Sequence, residues 1–156
     1  MKPLLRTTSI KGALSWVVML ICSITLCVSL TIATLQDFKA EKKNLSEQLH
    51  SYAAIIAFNA VGSIEIDDSE VEDRRLASFA AESRLHNIHI YKLQENGELS
   101  FFASYNRRDV GPYPTQFNKV EQYQNATIGD GVMELTKKIE SDGKLLGYVY
   151  IRASLD

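Results

Sequence analysis

Residues 13–35 read ALSWVVMLICSITLCVSLTIATL, a stretch with no charged side chain. As a helix rising ~1.5 Å per residue it would be ~35 Å long, enough to cross a hydrocarbon core of ~30 Å. A cleaved secretory signal has an apolar region of only ~7–15 residues and ends in a small-residue cleavage site. This run is much longer and has no clean A-x-A after it, so an uncleaved anchor is expected. Lys2, Arg6 and Lys11 precede the run, while Lys39, Lys42 and Lys43 follow it beside Asp37 and Glu41. Basic residues therefore barely orient it. The expectation of N-in, C-out rests instead on the exported look of the folded part. That makes residues 1–12 a cytoplasmic leader, 13–35 a transmembrane helix in the inner (plasma) membrane, and 36–156 a periplasmic domain.

The part beyond the span has 14 basic and 19 acidic residues, a formal charge of −5. This is a solubilising balance and argues against a nucleic-acid partner. Both cysteines, Cys22 and Cys27, lie inside the apolar run, which excludes a disulfide framework and a soluble thiol nucleophile. With three prolines and no low-complexity tract, one domain of α+β class is expected.

Helical periodicity continues past the span. Phe38, Leu45, Leu49, Tyr52, Ile56 and Ala60 recur at helical intervals, and neither Pro nor Gly interrupts residues 13–61. The expectation is a single rod that ends at Gly62, with Ile64 to Ile66 as an extended link. Such a rod can carry displacement or dimer geometry across a membrane, or its stripe can pack on its own domain. Asp67, Asp68 and Ser69 then offer N-caps for a second helix, with Glu70, Glu72 and Asp73 in its first turn and Val71, Leu76, Phe79 and Ala80 buried.

From residue 87 the period changes to two. The strands read NIHIYKL and ELSFFASY about a Glu95-Asn96-Gly97 turn, then GVMELTKKI and KLLGYVYIRA about Ser141-Asp142-Gly143. In the last strand Leu146, Tyr148 and Tyr150 are expected on one face and Leu145, Val149 and Ile151 on the other. The loop at residues 106–119 carries Arg107, Arg108, Pro112 and Pro114.

No catalytic constellation is found: no nucleophile elbow, phosphate loop or zinc-protease helix. No metal site or cofactor is expected. His86 and His89, three apart on a strand, point to opposite faces and read as surface or loop histidines. Tyr91, Tyr105, Tyr113, Tyr123, Tyr148 and Tyr150 fit half-buried strand positions or a ligand wall. Arg107 and Arg108 read as solvated loop charges or as a carboxylate or phosphate clamp. Asn44-Leu45-Ser46 and Asn125-Ala126-Thr127 match glycosylation sequons.

The run SYAAIIAFNAVGSIEIDDSEVEDRRLASF resembles the CHASE8 class of periplasmic sensor domains of membrane-bound diguanylate cyclases and histidine kinases. Ile55, Ile56, Ala57, Asn59 and Ala60 match that family's helix end, Asp68 its capping Asp and Leu76 its helix Leu. Ile66 replaces its Phe and Glu72 its usual Ala. Ile90-Tyr91, Gly97, Phe102 to Tyr105 and Arg107 resemble its first hairpin. Ile139, Gly143, Leu146 and Gly147 resemble its closing one, with Lys138 in place of a Pro. The resemblance covers about residues 40–153. It implies a PAS-like antiparallel sensor domain, homodimeric through a helix seam of Phe38, Leu45, Leu49, Tyr52, Ile56 and Asn59. A small-molecule ligand or periplasmic protein would bias an output across the membrane, with Tyr91, Tyr105 and Arg107 as the candidate ligand wall. The second span, HAMP linker and enzymatic output that usually follow are not found, so a truncated receptor or a stand-alone input is expected.

Two other readings compete. A pilin-like assembly protein would match the apolar helix and the Lys11-Gly12 pair, but Val17 stands where that family needs Glu, and no C-terminal cysteine pair exists. An anchored adaptor or inhibitor would use the sheet edge or the rod to bind another protein.

Overall fold

The computed structural model describes residues 10–118, 120 and 124–155. The expected leader, through residue 9, and Tyr123 lie outside the described residues. The chain divides into two units, Met1–Glu41 and Lys42–Asp156. Helix α1 (Ile10–Glu65) is continuous through that boundary for 56 residues. In the first unit it is apolar and unpacked, with an 18-residue window of mean hydropathy 2.4 and none of it buried. By length and composition it suffices to cross a membrane.

Within the second unit α1 changes character. Leu45, Leu49, Ala53, Ile56, Ala57, Ala60 and Ile64 are buried in one cluster with sheet residues Ile88, Ile90, Leu135, Val149 and Ile151. Their spacing of three and four places them on one helical stripe. The helix does not stop at Gly62 as the sequence suggests, because a lone exposed Gly costs only ~1 kcal/mol and burial of Ile64 holds the next turn. It stops at Asp67, which takes the left-handed conformation at φ 58°. Asp67 N–H donates to the Ile64 carbonyl and Asp68 N–H to the Ser63 carbonyl, the paired bonds of a Schellman stop. No extended link forms.

Helix α2 (Ser69–Leu76) starts as expected, with the Asp68 carboxylate accepting from Val71 N–H at 3.0 Å. It is followed by a short 3₁₀ segment (Ala77–Ala81). Leu76 is buried, whereas Ala80, expected inside, is exposed. Glu72 lies in the first turn as expected and is fully buried there, its Oε2 accepting from Arg75 at 2.7 Å. Arg75 also donates to the Asn59 carbonyl at 2.7 Å, tying α2 to the last turns of α1.

The sheet has five antiparallel strands in the order β2-β1-β5-β4-β3. They are β1 (Leu85–Leu93), β2 (Leu99–Asn106), β3 (Thr127–Gly129), β4 (Val132–Ser141) and β5 (Lys144–Ser154). The adjacent inner strands β1 and β5 pair Ile88 with Ile151 and Ile90 with Val149. Gly147 is obligatory at this crossing, since a Cβ there would lie 2.0 Å from the Tyr91 carbonyl oxygen. At the β2 edge, Asp73 Oδ1 on α2 accepts from Ser104 N–H at 2.8 Å, occupying a donor that edge strands leave open.

A register shift at Ile139/Glu140 pairs Glu140 with Leu145 but Ile139 with Gly147. That extra residue reverses the expected facing of the β5 leucines. Leu146 joins the helix side of the sheet, and Leu145 joins Tyr148 and Tyr150 on the other.

Candidate functional site

The face of the sheet away from α1 is built from alternate residues of the same strands. Three rungs cross it. Asn106, Asn87, Arg152 and Glu134 form one, and Ser104, His89, Tyr150 and Thr136 the next. Phe101, Tyr91, Tyr148 and Lys138 form the third. Most of these side chains carry a polar atom, yet Asn87, His89, Tyr91, Thr136 and Tyr150 are all buried. A strap, residues 107–118, has no regular secondary structure and lays Tyr113 and Phe117 over the rungs. Val120, Tyr91, Tyr148 and Tyr150 form a small core of their own beneath it.

Burial of so many polar groups demands partners. Glu134 receives the Tyr150 hydroxyl at 2.6 Å and the Tyr113 hydroxyl at 3.4 Å. Its other neighbour is Arg152, whose Nε stands 3.8 Å away, an ion pair without a hydrogen bond. The Arg152 guanidinium lies 4.5 Å from the centre of the Tyr113 ring, and Tyr113 lies parallel to Tyr150. Burial, followed by the adjoining Glu134 carboxylate, drives the Tyr150 hydroxyl far above its ordinary pKa of 10.0. Burial likewise raises Tyr91 and lowers His89. His89 is thus a neutral, buried ring 1% exposed, not the surface histidine that its sequence position suggests. His86 is half-buried at the register shift between Leu85 and Asn87, and burial, followed by the charges of Arg107 and Arg152, holds it below its ordinary pKa.

The three residues of the expected ligand wall are not brought together. Tyr91 lies on the strap face, buried. Tyr105 packs against the apolar cluster on the helix face. Arg107 is at the strap's root, where it pairs with Asp109 at 2.6 Å and reaches the Ser83 carbonyl. Arg108 is exposed. The expected seam divides too. Leu45, Leu49 and Ile56 are consumed by the core of their own domain, and Tyr52 is half-buried with its hydroxyl on Glu82 at 2.8 Å. Phe38 and Asn59 are exposed.

Glu134, Arg152, Asn87 and Thr136 were not singled out by sequence, although a signal exists. Each alternates with Ile, Leu, Met or Ala on its strand, the pattern of a two-faced sheet. Such alternation ordinarily puts the polar face in water, and here the strap covers it instead.

A large open groove, about 1280 Å³, lies between the hairpin turns at Asn96 and Asp142 and the end of α1. Lys92 there is engaged by Asp67. The concentration of buried polar chemistry is on the strap face. Among the described residues no group of His, Cys, Asp and Glu is placed to hold a metal ion. No family model, curated protein or solved structure matches this chain.

Proposed function

We propose that the chain is a membrane-anchored extracytoplasmic sensor, the input part of a bacterial signalling receptor, with residues 36–156 outside the inner membrane as a PAS-like domain. One observation carries this reading: a single sheet has residues 45–64 of the long helix α1 packed on one face and a strapped, buried polar layer on the other. Strands β1 and β5 serve both faces through alternate residues. A change in strap occupancy is therefore one strand's thickness from the stripe Leu49–Ile56–Ala60. Two states of similar energy are all that a ligand needs in order to bias the helix. The CHASE8 resemblance of residues 40–153 supports the same reading, as does the hydropathy of α1.

The test perturbs the polar face and reads the helix. In the full chain reconstituted in lipid nanodiscs, Glu134→Gln is expected to change hydrogen-exchange protection in residues 42–65 as well as in the strap. A response confined to the strap and β4 would leave an anchored scaffold, and capture of another protein at the sheet edge would then be the better reading. A phosphatase reporter active only outside the cytoplasm, fused after Asp156, tests the orientation.

A further inference from the structure

The strap is held by a chain of hydrogen bonds whose directions can be assigned. Gln116 N–H, on the strap, donates to the Tyr91 hydroxyl oxygen at 2.8 Å. Asn87 Nδ2 donates to Asn106 Oδ1 at 2.8 Å and to the strap carbonyl of Gly111 at 3.3 Å. Asn106 Oδ1, an acceptor only, also faces His89 Nε2 at 3.3 Å, so Nε2 carries the proton. His89 Nδ1 is then the acceptor, and the Tyr91 hydroxyl 3.3 Å away donates to it. The sequence runs from Gln116 through Tyr91, His89, Asn106 and Asn87 back to Gly111. Both ends are on the strap, and its central link is one titratable ring.

We infer that His89 is a proton-operated latch on the strap: the neutral ring accepts the Tyr91 hydroxyl proton and holds residues 111–116 down, whereas the imidazolium cannot. Protonation at Nδ1, by a proton from solvent, turns that acceptor into a donor. The Tyr91 hydroxyl keeps its proton and loses the acceptor it has among the described residues. The surroundings offer the cation one favourable contact, the hydrogen bond from Nε2 to Asn106 Oδ1, which burial outweighs. On its own strand His89 is flanked by Asn87 and Tyr91. From β2 it meets Asn106, Ser104 and Phe101, and from β5 the ring of Tyr150. Among the described residues the strap brings Gln116 and Phe117, through Tyr91, and Tyr113 behind Tyr150. The nearest charges along the rungs, Glu134 and Arg152, face each other, and Glu134 is already engaged by Tyr150.

Burial holds the closed-state His89 below its ordinary value of 6.5. Above ~6.5 the ring is neutral whether the strap is open or closed, and closure is at full strength. As pH falls below ~6.5 the open state takes up a proton that the closed state refuses. Closure then weakens by about tenfold per pH unit until the closed-state value is reached. The consequence for signalling rests on the sensor reading above, but the latch itself does not.

The experiment measures exchange protection of peptides within residues 108–118, with the intrinsic rate divided out, from pH 8 to pH 5 in the full chain in nanodiscs. In the wild type, strap protection is expected to fall by about tenfold per pH unit below ~6.5 while β5 peptides stay protected. In His89→Gln, whose amide donates and accepts without titrating, the strap is expected to be protected at every pH. A wild-type strap indifferent to pH, or an equal fall in His89→Gln, overturns the latch. If that variant does not fold, Tyr91→Phe decides, since it should be unlatched at pH 8 and insensitive below. A Tyr91→Phe strap that keeps the wild-type protection and pH response overturns it as well. The readout uses neither ligand nor output, so failure here leaves the sensor reading standing, and failure of helix coupling leaves the latch standing.

Discussion

The two faces of this sheet are made by the same strands and stabilised by different physics. Toward α1 the side chains are Ile88, Ile90, Leu135, Val149 and Ile151, closed by a helix that brings seven buried apolar residues of its own. Toward the strap they are Asn87, His89, Tyr91, Thr136, Tyr150 and Glu134, closed by a segment without regular structure. The first face gains ~1.5–3 kcal/mol for each large side chain it buries, without regard to direction. The second holds together only if each donor meets an acceptor, and each hydrogen bond nets only ~1 kcal/mol. Thr136 Oγ1, Asn87 Oδ1 and Arg152 Nε have no such partner among the described residues. One face is therefore built to persist and the other to be rearranged at low cost.

The strongest way to break the comparison is to destroy what both faces share. Gly147→Val would drive a side chain into the Tyr91 carbonyl, 2.0 Å from the new Cβ, and would part the central strands. A loss above ~4 kcal/mol is expected, seen as absence of a cooperative urea transition in the micelle-bound chain. Next comes the helix face alone. Leu49→Ala removes a side chain with 0% exposure and is expected to cost about 2–5 kcal/mol by urea titration.

These two positions also show what was legible beforehand. The apolar stripe of α1 was readable because helix period and hydrophobicity coincide over twenty residues. Its partner was not, since a stripe says that something is buried and not against what. Leu45, Leu49 and Ile56 suit a second copy as well as their own sheet. The strands and both later turns were readable from period two and Gly97 or Asp142-Gly143. Strand β3 was missed although Asp130-Gly131, both at positive φ, carries the same hairpin chemistry. Its three residues are too few to show alternation. The bulge that exchanges Leu145 and Leu146 left no local mark, being set by pairing with β4. The candidate site was least legible of all. Tyr91 was noticed for being aromatic, but Glu134 and Arg152 look like ordinary solvent-facing charges until the strap is laid over them.

The polar face sharpens the comparison at intermediate size. Tyr150→Phe takes from Glu134 its shortest hydrogen bond and leaves the carboxylate with Tyr113 at 3.4 Å. A loss of about 1–3 kcal/mol is expected, felt first in the strap. The same hydroxyl predicts a response to alkali. Its folded pKa is raised above 10.0, chiefly by burial, so the neutral form is the one the fold holds. Its contribution is complete below pH ~10 and is lost as pH rises past the unfolded value, by about 1.4 kcal/mol per pH unit. Alkaline unfolding followed by circular dichroism should be shallower in Tyr150→Phe than in the wild type. Equal slopes would mean that this hydroxyl is not what the strap face protects.

The smallest expected effect is the most discriminating for the helix. Phe58 lies on α1 only nine residues from Leu49, but it is 82% exposed, whereas Leu49 is 0% exposed. By side-chain type alone Phe58 is the larger apolar group, and a reading from composition would rank its loss as the costlier. By facing, Phe58→Ser should change stability by no more than about 0.5 kcal/mol in a monomeric domain. The same urea titration decides between these, repeated at two protein concentrations. A small, concentration-independent change means that the stripe through Leu49 is the only apolar seam this segment uses. A loss of 2 kcal/mol or more that grows with protein concentration in the wild type would place a second copy on the outward face, where Ile55 is also 52% exposed. The helix would then have two working faces, one committed to its own sheet and the other to its twin.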